Sequence, residues 1–110
     1  MKLSELFAKK IPTLSFEVFP PKTSDTYDSV KTAVEQIANL HPDYMSVTYG
    51  AGGGTSAYTV AVAQEIMSRG VTPLAHLTCL SSTKKKISEQ LDILGQKGIE
   101  NILALRGDRP

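Results

Sequence analysis

The sequence predicts an α/β fold, the N-terminal portion of a (βα)8 TIM barrel, and three observations carry that prediction. β-rich stretches begin near positions 13, 43, 72 and 101, a repeat of about 29 residues. A helical pattern lies between each pair, and strand–helix–strand alternation calls for parallel strands joined by right-handed crossovers. The strands also alternate in polarity. Ser15 and Glu17 oppose Leu14, Phe16 and Val18; Ser46 and Thr48 oppose Met45 and Val47; Ile102, Ala104 and Arg106 oppose Leu103 and Leu105. A parallel sheet covered by helices on both faces would read as continuous apolar runs instead. One greasy face and one small or polar face fit a barrel with helices outside and a polar site at the strand C-termini.

The elements follow in order. Leu3, Leu6 and Phe7 predict a short amphipathic helix. The first strand, Thr13 to Phe19, ends at Pro20-Pro21, because neither proline can donate a ladder hydrogen bond. Thr23 or Ser24 then caps a helix whose stripe is Val30, Ala33, Val34 and Ile37, continued by Leu40 and closed at His41-Pro42. Tyr44 to Tyr49 is the second strand and runs into Gly50-Ala51-Gly52-Gly53-Gly54. The next helix carries Val62 and Ile66 and stops at Gly70. Thr72 to Thr78 is the third strand. Ser82 or Thr83 caps a helix with Ile87, Leu91 and Leu94 on its inner face, ended by Gly98. Asn101 to Leu105 is the fourth strand, followed by Arg106-Gly107-Asp108. A closed barrel takes about 250 residues, so the 110 residues are expected to form one partial domain, 1–110, with no second domain.

Composition narrows the function. A net charge of +1, with no basic arm or acidic tail, gives no footprint for nucleic acid. No apolar run approaches the roughly 20 residues of a spanning helix, and Met1 to Lys10 lacks the apolar core of a signal peptide. The one cysteine, Cys79, excludes an internal disulfide and suits a reducing compartment, so a cytoplasmic location is expected. Cys79 has no second thiol or histidine at metal spacing, and no metal site is expected.

Chemistry-bearing residues gather where a barrel enzyme needs them, after the strand C-termini. Glu17 precedes the two prolines, Thr48 and Tyr49 lead into the glycine run, His76 ends the third strand and Arg106 the fourth. Each has a plainer reading. Glu17 can pair with a lysine or point into water, His76 can be a satisfied core histidine, and Arg106 can pair with Asp108. The glycine run can be a simple turn; its spacing does not match the dinucleotide-binding G-x-G-x-x-G pattern. The Lys84-Lys85-Lys86 run reads as a solvated helix face.

Taken together, SFEVFPPK, SVTYGAGG, AHLTC and ALRGD, in this order and spacing, resemble the first half of methylenetetrahydrofolate reductase, from Pro12 to Pro110. The resemblance implies a barrel that binds FAD non-covalently and reduces 5,10-methylenetetrahydrofolate to 5-methyltetrahydrofolate with NADH or NADPH, in one-carbon and methionine metabolism. It implies a ping-pong order, in which the nicotinamide reduces the flavin and leaves before the folate takes the hydride. Glu17 matches the catalytic general acid and Asp108 the carboxylate near the isoalloxazine that also bears on folate binding. Thr48, Tyr49, Ala51, His76, Arg106 and Gly107 match positions that contact flavin or nicotinamide. A homo-oligomer is implied for the full-length form.

The residue chemistry agrees with those roles. Opening the folate's five-membered ring requires a proton delivered to a weakly basic nitrogen, and burial of Glu17 between Phe16 and Phe19 would favour its neutral, proton-carrying form. Arg106 offers a fixed positive charge to a reduced flavin or a pyrophosphate. The later strands, with further flavin and folate contacts, are absent, so the 110 residues alone are expected to be inactive. The alternative is a non-catalytic half-barrel that assembles with itself or with a separate C-terminal half through its open edges. A barrel enzyme acting on a sugar phosphate, with Glu17 and His76 as acid and base, is a third reading.

Overall fold

The computed structural model describes residues 1–21, 23–49, 56–79 and 83–106, with the side chains of Ser56 and Ala57 outside that description. Four strands, β1 (Ser15–Val18), β2 (Tyr44–Val47), β3 (Thr72–Thr78) and β4 (Ile102–Leu105), form one sheet in sequence order. All three pairings are parallel. Helix α1 (Leu3–Ala8) precedes the sheet, and α2 (Tyr27–Ala38), α3 (Ser56–Ser68) and α4 (Lys84–Gln96) form the crossovers. The expected alternation of parallel strands and helices is therefore present, as a partial barrel.

Register explains which face the helices cover. Val18, Val47, Ala75 and Ile102 stand side by side across the four strands. The first three are buried, and all four pack with Val34, Val60, Ile66 and Leu94 from the crossover helices. Removing side chains of this size from water contributes about 1.5–3 kcal/mol each for the larger ones. The helix-covered face is thus the apolar one that the alternation predicted.

Both α3 and α4 end in the same way. Gly70 (φ 81°) and Gly98 (φ 79°) adopt the left-handed conformation that only glycine enters without strain. The next residue then reaches back: Val71 N–H donates to Ile66 O at 3.3 Å and Ile99 N–H to Leu94 O at 3.0 Å. Val71 and Ile99 are buried, so each turn delivers the chain directly into the following strand. His41 closes α2 with φ 56°, a left-handed residue ahead of Pro42.

Four details depart from the sequence reading. Leu40 does not continue the α2 stripe; the helix stops at Ala38 and Leu40 is 60% exposed. Leu91 does not face inward either, at 42% exposure, because Leu94 alone fills that position of α4 under the sheet. Neither Thr23 nor Ser24 caps α2. A 3-10 turn over Ser24–Thr26 intervenes, and no side-chain cap forms there, whereas Thr83 does cap α4 by accepting from Lys86 N–H at 3.1 Å. In β4 the register aligns Leu103 with His76 and Leu105 with Thr78, so the leucines share the face opposite the helices, while Ile102 goes with the core.

The N-terminal end of the sheet is stapled by Asn101. Its side-chain oxygen accepts from Leu3 N–H at 2.8 Å and its amide donates to Met1 O at 2.8 Å. Its backbone carbonyl takes Ala75 N–H at 3.0 Å. One buried amide thus joins α1 to the β3–β4 ladder. Replacing it by alanine leaves the Leu3 donor unpaired at a buried site. Asn101→Ala is expected to lower unfolding free energy by about 1–3 kcal/mol, read as a lower urea midpoint, with Asn101→Asp intermediate because it keeps only the acceptor.

Between α2 and α3, Tyr27 packs near Tyr58 with ring centres 6.4 Å apart. Arg69 ties the helices by pairing with Glu65 at 3.0 Å and with Glu35 at 3.6 Å. Burial, and secondarily the Glu65 carboxylate, push the Tyr27 phenol above its ordinary value of 10.0. The folded state therefore holds the phenolic proton more tightly than the unfolded chain. Stability from this group is complete below about pH 10 and is lost as pH rises through the higher folded value. The Tyr27 ring-carbon resonance should titrate above that of an unfolded tyrosine, and Glu65→Gln should bring it only part of the way back.

Candidate active site

Glu17, Ser46 and His76 come from three adjacent strands and meet on the face that the helices leave uncovered. Glu17 and Ser46 are direct register partners. Because β1 and β2 repeat at an interval of 29 residues, the third residue of one strand lies beside the third of the next. Ser46 Oγ donates to Glu17 Oε1 at 3.2 Å. His76 Nε2 approaches the same oxygen at 3.6 Å. The imidazole is 13% exposed and the carboxylate 49% exposed. The burial expected for Glu17 from its phenylalanine neighbours does not occur within these residues; Phe19 is itself exposed.

The end of β2 is held in place from both sides. Thr48 N–H donates to Val18 O at 3.1 Å, extending the ladder past the strand. Thr48 O accepts from the hydroxyl of Thr59, a buried residue of α3, at 3.1 Å. The segment that leads into the glycine run is thereby fixed against the following helix, and Thr48 and Tyr49 are half-buried beside the carboxylate's strand. At the far strand, Cys79 N–H donates to Leu105 O at 2.9 Å, so β3 and β4 stay paired up to Arg106, whose side chain is exposed. Ala51, Gly107 and Asp108 lie outside the described residues.

Of the site residues expected from sequence, the structure brings Glu17 and His76 into contact. It places Thr48, Tyr49 and Arg106 at the same end of the sheet. Ser46 is the residue that sequence reasoning passed over. Its signal was present: it stands one strand period after Glu17 and has the same parity. The hydroxyl, phenol, imidazole and guanidinium of Thr48, Tyr49, His76 and Arg106 form a donor set suited to a flat, nitrogen-rich ring bearing negative charge. The residues present fit a flavin by that criterion. Among the described residues no cluster of three or more histidine, cysteine or acidic groups could hold a metal ion.

Acid, imidazole and strand-end hydroxyls on the C-terminal side of parallel βα repeats define the class: the chain is part of a barrel of the enzyme-bearing kind. The profile of the methylenetetrahydrofolate reductase family matches residues 2–110, and the chain belongs to that family. It is 37% identical over 98 residues to a 5,10-methylenetetrahydrofolate reductase of Pectobacterium carotovorum, covering 88% of this chain and 33% of that protein. A Buchnera aphidicola reductase of the same name is 41% identical over 95 residues, covering 86% and 32%. A rice protein named probable methylenetetrahydrofolate reductase (NADH) is 36% identical over 110 residues, covering 99% and 18%. The chain therefore spans about a third of the bacterial relatives and less than a fifth of the plant one.

Proposed function

We propose that this chain supplies the acid-bearing portion of a flavin-dependent reductase that converts 5,10-methylenetetrahydrofolate to 5-methyltetrahydrofolate. The observation that carries this reading is the Glu17 carboxyl at the C-terminal end of β1, held by Ser46 and His76 in a member of this family. Glu17 acts as general acid. It gives its proton to one ring nitrogen of the folate, the bond from that nitrogen to the methylene carbon breaks, and the electron pair stays on the protonated nitrogen. The other nitrogen is left as an iminium, whose carbon accepts hydride. Asp108, which lies outside the described residues, is the carboxylate proposed to stabilise that cation by its negative charge.

FAD is held by Thr48, Tyr49, Ala51, His76, Arg106, Gly107 and Asp108 in this reading. When bound, the flavin supplies the hydride that the chain's own residues cannot. NADH or NADPH is the reductant, and the name of the rice relative favours NADH. The described helices include none long and apolar enough to cross a membrane. A cytoplasmic, homo-oligomeric enzyme of one-carbon metabolism, to which residues 1–110 contribute one partial domain, is the setting proposed.

The 110 residues alone are proposed to be inactive, since the acid is half exposed and proton transfer of this kind relies on a water-poor site. The second reading, a half-barrel that assembles without catalysing, is favoured by the exposed Leu103 on the open face and by outer strands β1 and β4 that each pair on one side. Size-exclusion chromatography separates the two, because obligate assembly excludes a well-folded monomer.

Titration with FAD, followed by flavin fluorescence and visible absorbance, tests the main reading. Saturable quenching with a shifted spectrum is expected of the intact enzyme; an intact enzyme that binds no flavin would sink the proposal. In that enzyme Glu17→Gln should keep flavin binding but slow folate reduction by about 10²–10⁴-fold, measured by single-turnover mixing of the reduced enzyme with folate.

A further inference from the structure

We propose that Ser46 is a positioning residue that fixes Glu17 Oε1, so that the acid's transferable proton resides on Oε2. This rests on the reading of Glu17 as general acid and deepens it.

Ser46 is buried, 8% exposed, in a strand flanked on both sides. A hydroxyl there needs a protein partner, and it has one, donating to Glu17 Oε1 at 3.2 Å. His76 Nε2 faces the same oxygen at 3.6 Å from the next strand. Both groups converge on Oε1. Among the described residues Oε2 takes no protein partner, and the side chain is half exposed on the open face. A proton on Oε1 would point at the Ser46 donor and the facing imidazole, whereas a proton on Oε2 is free of both, on a side chain half exposed on the open face. A glutamate has three side-chain torsions to fix, and a hydroxyl on a rigid neighbouring strand fixes them at the carboxyl itself. Nε2 is the imidazole nitrogen that faces the carboxyl, so a hydrogen on Nε2 is the tautomer this arrangement calls for.

The comparison of Ser46→Thr with Ser46→Val tests this, because the two side chains share a shape and differ by the hydroxyl. In the flavin-loaded full-length enzyme, Ser46→Val should slow the folate half-reaction about 10- to 100-fold more than the nicotinamide half-reaction. Ser46→Thr should restore it. Equal losses in both half-reactions, or the same loss in Ser46→Thr, would show a structural role and overturn the proposal. Nuclear magnetic resonance on the protein without any ligand gives a second readout. His76 should show the Nε2–H tautomer, and the Glu17 carboxyl carbon should shift in Ser46→Val but not in Ser46→Thr. A dominant Nδ1–H tautomer, or an unmoved Glu17 resonance in Ser46→Val, refutes the proposal even if the enzyme is active. Failure of the family reading would appear separately, as loss of flavin binding in the parent protein.

Discussion

The row of Val18, Val47, Ala75 and Ile102 is the constraint on which the rest depends. Side chains alternate along a strand, so burying one row under the helices commits the adjacent rows to the other side. Glu17 and Ser46 sit one residue before Val18 and Val47, and His76 one after Ala75. A slip of one residue in β1 or β3 would bury the carboxylate or the imidazole among Val34, Ile66 and Leu94, where an unpaired charge is costly. The same apolar packing that stabilises the sheet therefore aims the polar groups.

The two ends of the sheet carry different duties. At the N-terminal end Asn101 spends both polar atoms of its side chain on backbone groups of Met1 and Leu3, and Asp43 accepts from Leu14 N–H at 2.8 Å to start the β1–β2 ladder. These contacts tie side chains to backbone groups of the same chain. At the C-terminal end, among the described residues, the polar side chains of Thr48, Tyr49 and Arg106 are half-buried or exposed. Such an asymmetry is what parallel βα units produce, because crossover helices return the chain to the starting end and leave the other end to loops.

Much of this was legible in the sequence. The 29-residue period and the change of polarity along each strand located the strands, and glycines at 70 and 98 located two helix ends, because their left-handed geometry has few other tenants. The acid and the histidine were legible as residues out of place in apolar strands. What failed were features set by neighbours beyond the local pattern. Leu40 and Leu91 obey helical spacing yet find no surface to cover, one lying past the helix end and the other beyond the reach of the sheet. In β4 both faces are apolar, so polarity could not choose between Ile102 and Leu103, and only pairing with β3 decides. Ser46 is a small residue whose importance comes entirely from standing beside Glu17, a fact of register and not of composition.

The geometry of the Glu17 carboxyl is set by its neighbours in the sheet. The contacts that hold Oε1 run from β1 to β2 and β3, and are complete within the first 76 residues. On the open face Glu17 remains half exposed, and Leu103 is 45% exposed there as well. Orientation of the carboxyl is therefore a local matter of the first three strands, fixed by which residues stand beside Glu17 in the register.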